Sequence, residues 1–384
     1  MHPGSKMQPV YQLNPTRLLP GDVILERGDS LYSRVIRLSD RGRFSHVILY
    51  LGANFIVEAV EEGVRIMQAL RVITADPRGY QVLRHPEIEN LRSKTNEIMS
   101  FVEQKLFVSM LSELNKPYSW RGILGTKLPF FRKRAHEHFC SQLVAEAFQR
   151  IGFPLCAADV PMDRITPKFF ETDACVLRKV EGCFVKLPGS EWLKPFAKDR
   201  YKVLKSSSLP ILELGSQIAR DAVKVFGPRI DAGARKIERQ EAIGSLQDLY
   251  RVLYIPDLPD GDRIADELTA WMELKYPSRS IREHAAATRS SFEHIARGGD
   301  RELLATAIKT LQVDIDSIQR VLPVLQRRLS PVNTAPAPLK VRSIHRWLDK
   351  KLEESIAFER ELLAWRMAFV KRFEAADALR QPGE

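Results

Sequence analysis

The hydrophobic pattern of this chain changes near residue 205. Up to about residue 88, apolar residues form short runs rich in Val, Ile, Leu and Tyr, separated by Gly, Asn, Asp and Pro, which predicts strands. From residue 211 onward they recur with the 3.6-residue period of amphipathic helices. The segment KSSSLP between the two parts is a predicted linker. The sequence therefore predicts an α+β domain over residues 15–204 and an all-α helical bundle domain over residues 205–384.

Composition and charge exclude several classes of protein. No run of about 18 apolar residues occurs, so no transmembrane segment is expected. The N-terminal segment lacks the apolar core of a signal peptide, which predicts a cytoplasmic protein or one exported without a cleavable signal. Nucleotide-binding glycine motifs and nucleic-acid-binding modules are absent from the sequence, so no nucleic acid partner is expected.

Positive charge is concentrated in the first part of the chain. The net charge is +11, and residues 1–204 contribute 30 Lys+Arg against 22 Asp+Glu, which is +8. A basic surface attracts anionic substrates or surfaces, although charge of this size also serves solubility alone.

Two predicted strands place an imidazole beside a carboxylate. HVILYLG and FIVEAV form a predicted hairpin whose turn lies at Gly52-Ala53-Asn54. His46 begins the first strand, and Glu58 lies inside the apolar second strand, where a carboxylate is costly without a partner. The hairpin brings the two within cross-strand reach. The alternatives are a structural histidine and a glutamate that faces solvent.

The run HFCSQLVAEAF predicts a helix that carries Cys140 in its first turn and ends at Gly152. A helix N-terminus and nearby cations favour the thiolate form of a cysteine. The alternatives are a buried apolar residue and a metal ligand beside His136 and His138. No second ligand cluster and no C-x-x-C pair occur, so neither a metal, a cofactor nor a disulfide scaffold is predicted.

Six short blocks carry a resemblance to a known family. PGDVI, FSHVILYLG, IVEAVEEGV, KPYSW, FCSQLVAEAF and ITPKFF, in this order, resemble the permuted papain-fold NlpC-type cysteine hydrolase superfamily, and within it the YiiX-like branch. The resemblance covers about residues 15–200. It implies a circularly permuted papain-like domain with an antiparallel sheet and packed helices, in which the histidine strand precedes the cysteine helix.

The resemblance also implies the role of each site residue. Cys140 is the implied nucleophile, His46 the general base and Glu58 the residue that orients the imidazole. Tyr118 would direct its hydroxyl at the oxyanion, with the backbone N–H of Cys140 as the second donor. The implied chemistry is acyl transfer through a thioester. Gln142 replaces the glutamate usual in the family, and we expect no effect on catalysis.

The substrate is left open between two classes. Hydrolysis of an amide bond, in a peptidoglycan stem peptide or a small amino-acid amide, is the leading expectation. The alternative is a lipid acyl hydrolase or acyltransferase at an anionic membrane surface. The loop RGILGTKLPFFRKR joins apolar residues to cations, which suits lipid contact but also suits packing onto the domain. The predicted substrate-binding residues are Arg132, Lys133, Arg134 and His138.

A third hypothesis belongs to another class of function. The helical domain would bind a protein partner, and the papain-like domain would be vestigial. The complete set of Cys140, His46 and Glu58 argues against a vestigial domain, although the helical domain can still bind a partner.

Overall fold

A computed structural model gives the fold and describes residues 9–60, 63–92, 96–111, 139–156, 160–187, 221–230, 260–275 and 339–378, together with residue 113 and scattered positions between 282 and 323. The chain divides into two compact units. The first comprises residues 1–203 with 244–247, and the second comprises residues 204–243 with 248–384. The main division falls beside the predicted linker.

The first unit is α+β and contains two antiparallel sheets. The larger sheet has the strand order β5-β4-β3-β2-β7-β8 and the smaller sheet the order β6-β1-β9. The strands are β1 Tyr11–Leu13, β2 Val23–Glu26, β3 His46–Gly52, β4 Phe55–Val60, β5 Gly63–Gln68, β6 Ile73–Thr74, β7 Tyr80–Arg84, β8 Arg178–Val180 and β9 Phe184–Lys186. The helices are α1 Leu31–Asp40, α2 Pro86–Arg92, α3 Asn96–Leu111 and α4 Cys140–Ile151.

Strands β3 and β4 lie at the centre of the core. Every residue of β3 after His46 is buried, as are all residues of β4 before Val60. Strands buried on both faces read as continuous apolar runs, which is the pattern of HVILYLG and FIVEAV. One apolar cluster joins the two sheets through residues that include Leu13, Ile24, Ile48, Ile56 and Val82. Helices α3 and α4 also pack against β3, and α4 extends this contact to β4.

The predicted hairpin between β3 and β4 is present. Gly52, Ala53 and Asn54 all have positive φ, at 96°, 46° and 65°. A side chain at position 52 would also come within 2.6 Å of the Glu103 side chain, which would have to move, while the positive φ itself favours glycine there. The turn fixes which residues of the two strands face each other.

Helix α1 corrects the prediction that residues before 88 form strands only. Ser30 caps the helix by accepting a hydrogen bond from the backbone N–H of Ser33 at 3.0 Å. The helix ends at Arg41, whose φ of 54° is left-handed. Its exposed apolar residues recur at helical spacing, but only one position, Ile36, is buried, so the usual apolar signature of a core-facing helix is weak.

The described elements of the second unit are helical. They include residues 221–230, α5 Gly261–Lys275 and the 40-residue helix α6 Leu339–Ala378. Buried residues at helical spacing define one further helix face: Ala307, Leu311, Ile315, Ile318 and Leu322. Phe292 and Phe369 join this face in an apolar cluster. Among the described residues, no helix is both long and apolar enough to cross a membrane.

Candidate active site

The three residues proposed from the sequence as a triad come together in the first unit. Cys140 is the first residue of α4 and is buried. His46 begins β3, and Glu58 lies in β4, the neighbouring strand. Helix α4 packs against both strands, and its first residue, Cys140, lies close enough to His46 to act on the imidazole.

The contact between His46 and Glu58 follows from the hairpin register. Leu49 lies opposite Val57, so continuing the register puts Ile48 opposite Glu58 and His46 on the diagonal, on the same face. The Nε2 atom of His46 lies 2.8 Å from Oε2 of Glu58. The histidine side chain is 14% exposed and the glutamate 1%, so this hydrogen bond is shielded from water while the imidazole remains accessible.

Cys140 is the second partner of His46. Glu58 takes Nε2, and the charge and hydrogen-bonding capacity of the nearby Cys140 side chain also act on the imidazole. Burial lowers the pKa of His46, but the charge of Cys140, its hydrogen bond, and the bond and charge of Glu58 together raise the pKa to about 10. The partners of His46 therefore favour the imidazolium form of the ring.

Arg65 is a member of the site that sequence reasoning missed. It lies directly opposite Glu58 in the β4–β5 pair. Its Nη2 and Nε atoms donate to Oε1 of Glu58 at 2.8 and 2.9 Å. Burial raises the pKa of Glu58, but the Arg65 charge and the His46 hydrogen bond outweigh it and hold the pKa at about 2. Glu58 is therefore a carboxylate that holds the imidazole by one oxygen and the guanidinium by the other.

A signal for Arg65 was present in the sequence. The segment GVRIMQ places one charged residue inside an otherwise apolar strand. Because Val60 lies opposite Gly63, counting back from the turn pairs Glu58 with Arg65. Counting residues along the β4–β5 pair, as along the β3–β4 hairpin, therefore identifies Arg65 as the partner of Glu58.

The first turn of α4 supplies backbone donors at the nucleophile. Phe139 caps the helix without a side-chain hydrogen bond, and the first N–H to bond within the helix is that of Leu143, to the Phe139 carbonyl. The amides at the start of a helix lack intrahelical acceptors and carry positive partial charge. The N–H of Cys140 is therefore suited to an oxyanion.

The segment 165–171, which is the ITPKFF block and the Glu171 that follows it, ties the histidine strand to the cysteine helix. Glu171, at the end of a 3₁₀ turn over Pro167–Glu171, accepts hydrogen bonds from the N–H groups of Arg43 and Phe44 at 2.8 and 3.2 Å. Ser141 donates to the carbonyl of Ile165 at 2.6 Å. One short segment thus fixes both the approach to His46 and the residue after Cys140.

The PGDVI block has a structural role. Asp22 is fully buried and accepts hydrogen bonds from Nε and Nη2 of Arg84, both at 2.7 Å. It also accepts from the N–H of Leu19 at 2.8 Å. This bidentate pair fixes β7 to the turn that precedes β2.

The remaining cysteines differ from Cys140. All four cysteines are free thiols, and Cys156, Cys175 and Cys183 lie outside the contacts of His46 described above. Burial raises the pKa of Cys175 and of Cys183 to about 11, so both remain thiols at neutral pH. Gln142, the departure from the family pattern, is buried and donates to Glu146 at 2.8 Å.

A basic cavity of about 340 Å³ lies on the same sheet face as His46. Glu26 on β2 is opposite both His46 and Tyr80, and Tyr80 lines the cavity, so two strand spacings separate the cavity from His46. The cavity wall combines aromatic and cationic side chains: Tyr11, Arg43, Arg78, Tyr80, Lys179 and Phe184. Asp76 pairs with Arg78, and Glu181 pairs with Lys179.

Several predicted site residues lie outside the described residues. They are Tyr118, Arg132, Lys133, Arg134 and His138, together with His136 of the metal alternative. Within the described part of the chain, no group of three or more His, Cys, Asp and Glu side chains is arranged to hold a metal ion.

Comparison with known proteins does not assign a family. No model of a known protein family matches the chain, and no curated protein matches it.

Proposed function

We propose that this protein is a cysteine hydrolase that cleaves an amide bond through a Cys140–His46–Glu58 triad. The observation that supports this is the position of His46, whose Nε2 lies 2.8 Å from Glu58 and whose pKa is raised by the nearby Cys140 side chain. The proposal includes a circularly permuted papain-like, NlpC-type domain over residues 15–204. It also includes a helical bundle domain over residues 205–384 with an accessory or partner-binding role.

The proposed reaction starts from thiolate and imidazolium. The sulfur of Cys140 attacks the carbonyl carbon, and the carbonyl electrons move onto oxygen to give a tetrahedral oxyanion. His46 gives its Nδ1 proton to the leaving nitrogen as the C–N bond breaks, which releases an amine and leaves a thioester. A water molecule then gives a proton to His46 and attacks the thioester. Collapse releases the carboxylate product and restores the thiolate beside the imidazolium.

The other residues of the site orient the imidazole and stabilise the oxyanion. Glu58 holds the ring through Nε2, so Nδ1 stays directed at the sulfur, and Arg65 keeps Glu58 ionised and in position. The N–H of Cys140 would stabilise the oxyanion, with the Tyr118 hydroxyl as the second proposed donor.

A peptidoglycan stem peptide or a small amino-acid amide is the proposed substrate. Stem peptides carry free carboxylates, and the cavity two strand spacings from His46 is lined by Arg43, Arg78 and Lys179, of which Arg78 and Lys179 also pair with Asp76 and Glu181. Arg132, Lys133, Arg134 and His138 are proposed to add to this anionic recognition.

The test compares two substrates with one matched variant. The protein and its Cys140→Ala variant are incubated separately with purified muropeptides and with phospholipid vesicles, and products are identified by mass spectrometry. We expect Cys140-dependent cleavage of stem peptides. Cys140-dependent release of fatty acid without peptide cleavage would replace the amide proposal by lipid deacylation. A Cys140→Ala variant that keeps full activity would overturn the nucleophile assignment.

A further inference from the structure

Helix α1 exposes an unusual amount of apolar surface. Leu31, Tyr32, Val35 and Leu38 are 75%, 55%, 52% and 79% exposed. The four other large apolar side chains that are exposed among the described residues lie singly on four different helices. Single exposed apolar residues are normal on a protein surface, whereas a contiguous patch marks a site of interaction.

The spacing of these residues forms a stripe along the helix. Leu31, Val35 and Leu38 follow the i, i+4, i+7 pattern, so their side chains share one face over two turns. Ile36 points to another side, where it is buried against Phe139. The helix is therefore anchored to the protein by one side and presents its apolar stripe to solvent on the other. We call Leu31, Val35 and Leu38 the α1 stripe.

Positive charge borders the α1 stripe. Arg34 and Arg41 are exposed and lie three residues after Leu31 and Leu38. Residues 27–43 contain five arginines, at positions 27, 34, 37, 41 and 43, against Asp29 and Asp40. Arg37 is used inside the fold, where it donates to the carbonyl of Gly28. The exposed guanidinium groups of Arg34 and Arg41 beside an apolar stripe complement a surface that is anionic outside and apolar beneath.

We propose that helix α1 docks the protein onto an anionic lipid bilayer. The α1 stripe enters the boundary between headgroups and acyl chains, and Arg34 and Arg41 pair with headgroup phosphates. A convex helix face with long cationic side chains fits a deformable lipid surface and needs no preformed groove.

The anchor of α1 relates this surface to the candidate active site. Ile36 packs on Phe139, the residue before Cys140, so the docked helix would hold the nucleophile end of α4 near the bilayer. The proposal rests on the exposed stripe and its charges, and it does not depend on the proposed hydrolase activity.

The test measures vesicle binding by the full-length Cys140→Ala variant, so that no turnover alters the lipid. Vesicles of phosphatidylcholine alone and of phosphatidylcholine with phosphatidylglycerol are sedimented with the protein at about 50 mM and about 500 mM salt. We expect binding to the anionic vesicles at low salt, and weaker binding at high salt because screening shortens the reach of the arginine charges. Neutral vesicles should bind the protein more weakly at both salt concentrations.

Substitutions assign the binding to the α1 stripe. Leu31→Gln with Leu38→Gln should weaken binding by at least about tenfold, because two apolar side chains no longer enter the lipid. Arg34→Gln should weaken binding to anionic vesicles only. Leu274→Gln on α5 is the matched control, since Leu274 is 85% exposed, and this variant should bind as the parent does. Near-ultraviolet circular dichroism confirms that each variant is folded.

Three outcomes would overturn the proposal. They are absence of binding to anionic vesicles by the parent, unchanged binding after the double leucine substitution, and equal loss in the Leu274→Gln control. A fourth such outcome would come from light scattering. If the parent protein is a dimer that the double leucine substitution dissociates, and it does not bind vesicles, the α1 stripe serves self-association. Failure of vesicle binding leaves the amide hydrolase proposal untouched, because that proposal is tested by cleavage of muropeptides in solution.

Discussion

The two units of the molecule each bury a glutamate beside an arginine, and they treat it in opposite ways. In the first unit, Glu58 is 1% exposed and makes hydrogen bonds to His46 and Arg65 at 2.8 to 2.9 Å. In the second unit, Glu359 and Arg366 are each 1% exposed, but their closest charged atoms are 3.7 Å apart. Neither Glu359 oxygen has a hydrogen-bond partner in the described part of the chain.

The two carboxyl groups consequently titrate in opposite directions. Burial acts to raise both pKa values, but partners reverse the effect at Glu58 and lower its pKa to about 2. At Glu359 the Arg366 charge does not overcome burial, and the pKa rises to about 7. Burial alone therefore does not determine the charge of a carboxyl group. The number and geometry of its hydrogen bonds decide whether it works as a permanent anion.

The largest expected effect is on turnover. Glu58→Gln should lower kcat for the proposed amide hydrolysis by roughly 10²–10⁴, because an amide does not hold the imidazolium in one orientation as a carboxylate does. Glu359→Gln, an equally buried and isosteric change, should alter kcat by less than about twofold. Product formation by the two variants checks the difference. Equal losses would show that buried carboxyls matter here through folding alone.

The next effect is on stability. Glu58→Gln should lower the free energy of unfolding of the first unit by about 3 kcal/mol, since it breaks a buried ion pair and leaves Arg65 without its carboxylate. At about pH 4.5, where folded Glu359 is protonated, Glu359→Gln should change the free energy of unfolding of the second unit by less than about 1 kcal/mol, because the lost carboxyl makes no hydrogen bond there. Hydrogen exchange of peptides from β4 and α6, followed by mass spectrometry, assigns each change to its unit. A larger loss at Glu359 would contradict the comparison.

The stability of the two units should also respond differently to pH. The stabilisation from Glu58 is present above its ordinary pKa of 4.5 and is lost as pH falls toward 2. The stabilisation from His46 is present below pH 6.5 and is lost as pH rises toward 10. Glu359 has the opposite sign from Glu58, so the second unit should lose stability, on the order of 3 kcal/mol, as pH rises from 4.5 through 7.

Exchange measured between pH 4.5 and 7 tests this sign. Over that range, after correction for the intrinsic exchange rate, the α6 peptides of the parent protein should become less protected from exchange. The same peptides of the Glu359→Gln variant should keep their protection. Loss of protection in the variant as large as in the parent would exclude Glu359 as the cause.

The smallest effect concerns a polar group at the edge of the site. Gln142→Glu restores the residue usual in the family that the sequence resembles, and it should leave kcat within about twofold. It replaces the hydrogen bond from Gln142 to Glu146 by two carboxylates at a buried position, which should cost about 1–3 kcal/mol. Paired kinetic and unfolding measurements check both values. A large gain in turnover would assign Gln142 a direct role in the reaction.

Local pattern was enough to predict part of this structure. The apolar runs and the Gly52-Ala53-Asn54 turn predicted the hairpin, and counting along it brought His46 to Glu58. The helical period predicted from residue 211 onward is present at α5. These features are encoded within short segments, where residue spacing translates directly into position.

Features that depend on packing between distant segments were not predicted. Helix α1 lacks the buried apolar face by which sequence patterns reveal helices. Its only buried residue, Ile36, packs against Phe139, which lies far away in the sequence. Glu359 and Arg366 stand seven residues apart on one helix, which predicts a common face but not its burial. Whether such a face is covered depends on the other helices of the unit.

The bonds made by the segment 165–171 also determine when a site of this kind can form during synthesis. Glu171 and Ile165 hold the segments around His46 and Cys140, and β9 closes the smaller sheet beside β1. These residues leave the ribosome after both His46 and Cys140. A growing chain therefore contains Cys140 before it contains the residues that position it. The proposed hydrolase activity should appear only once about residue 186 has left the ribosome. Alkylation of Cys140 on arrested chains of increasing length would follow that step.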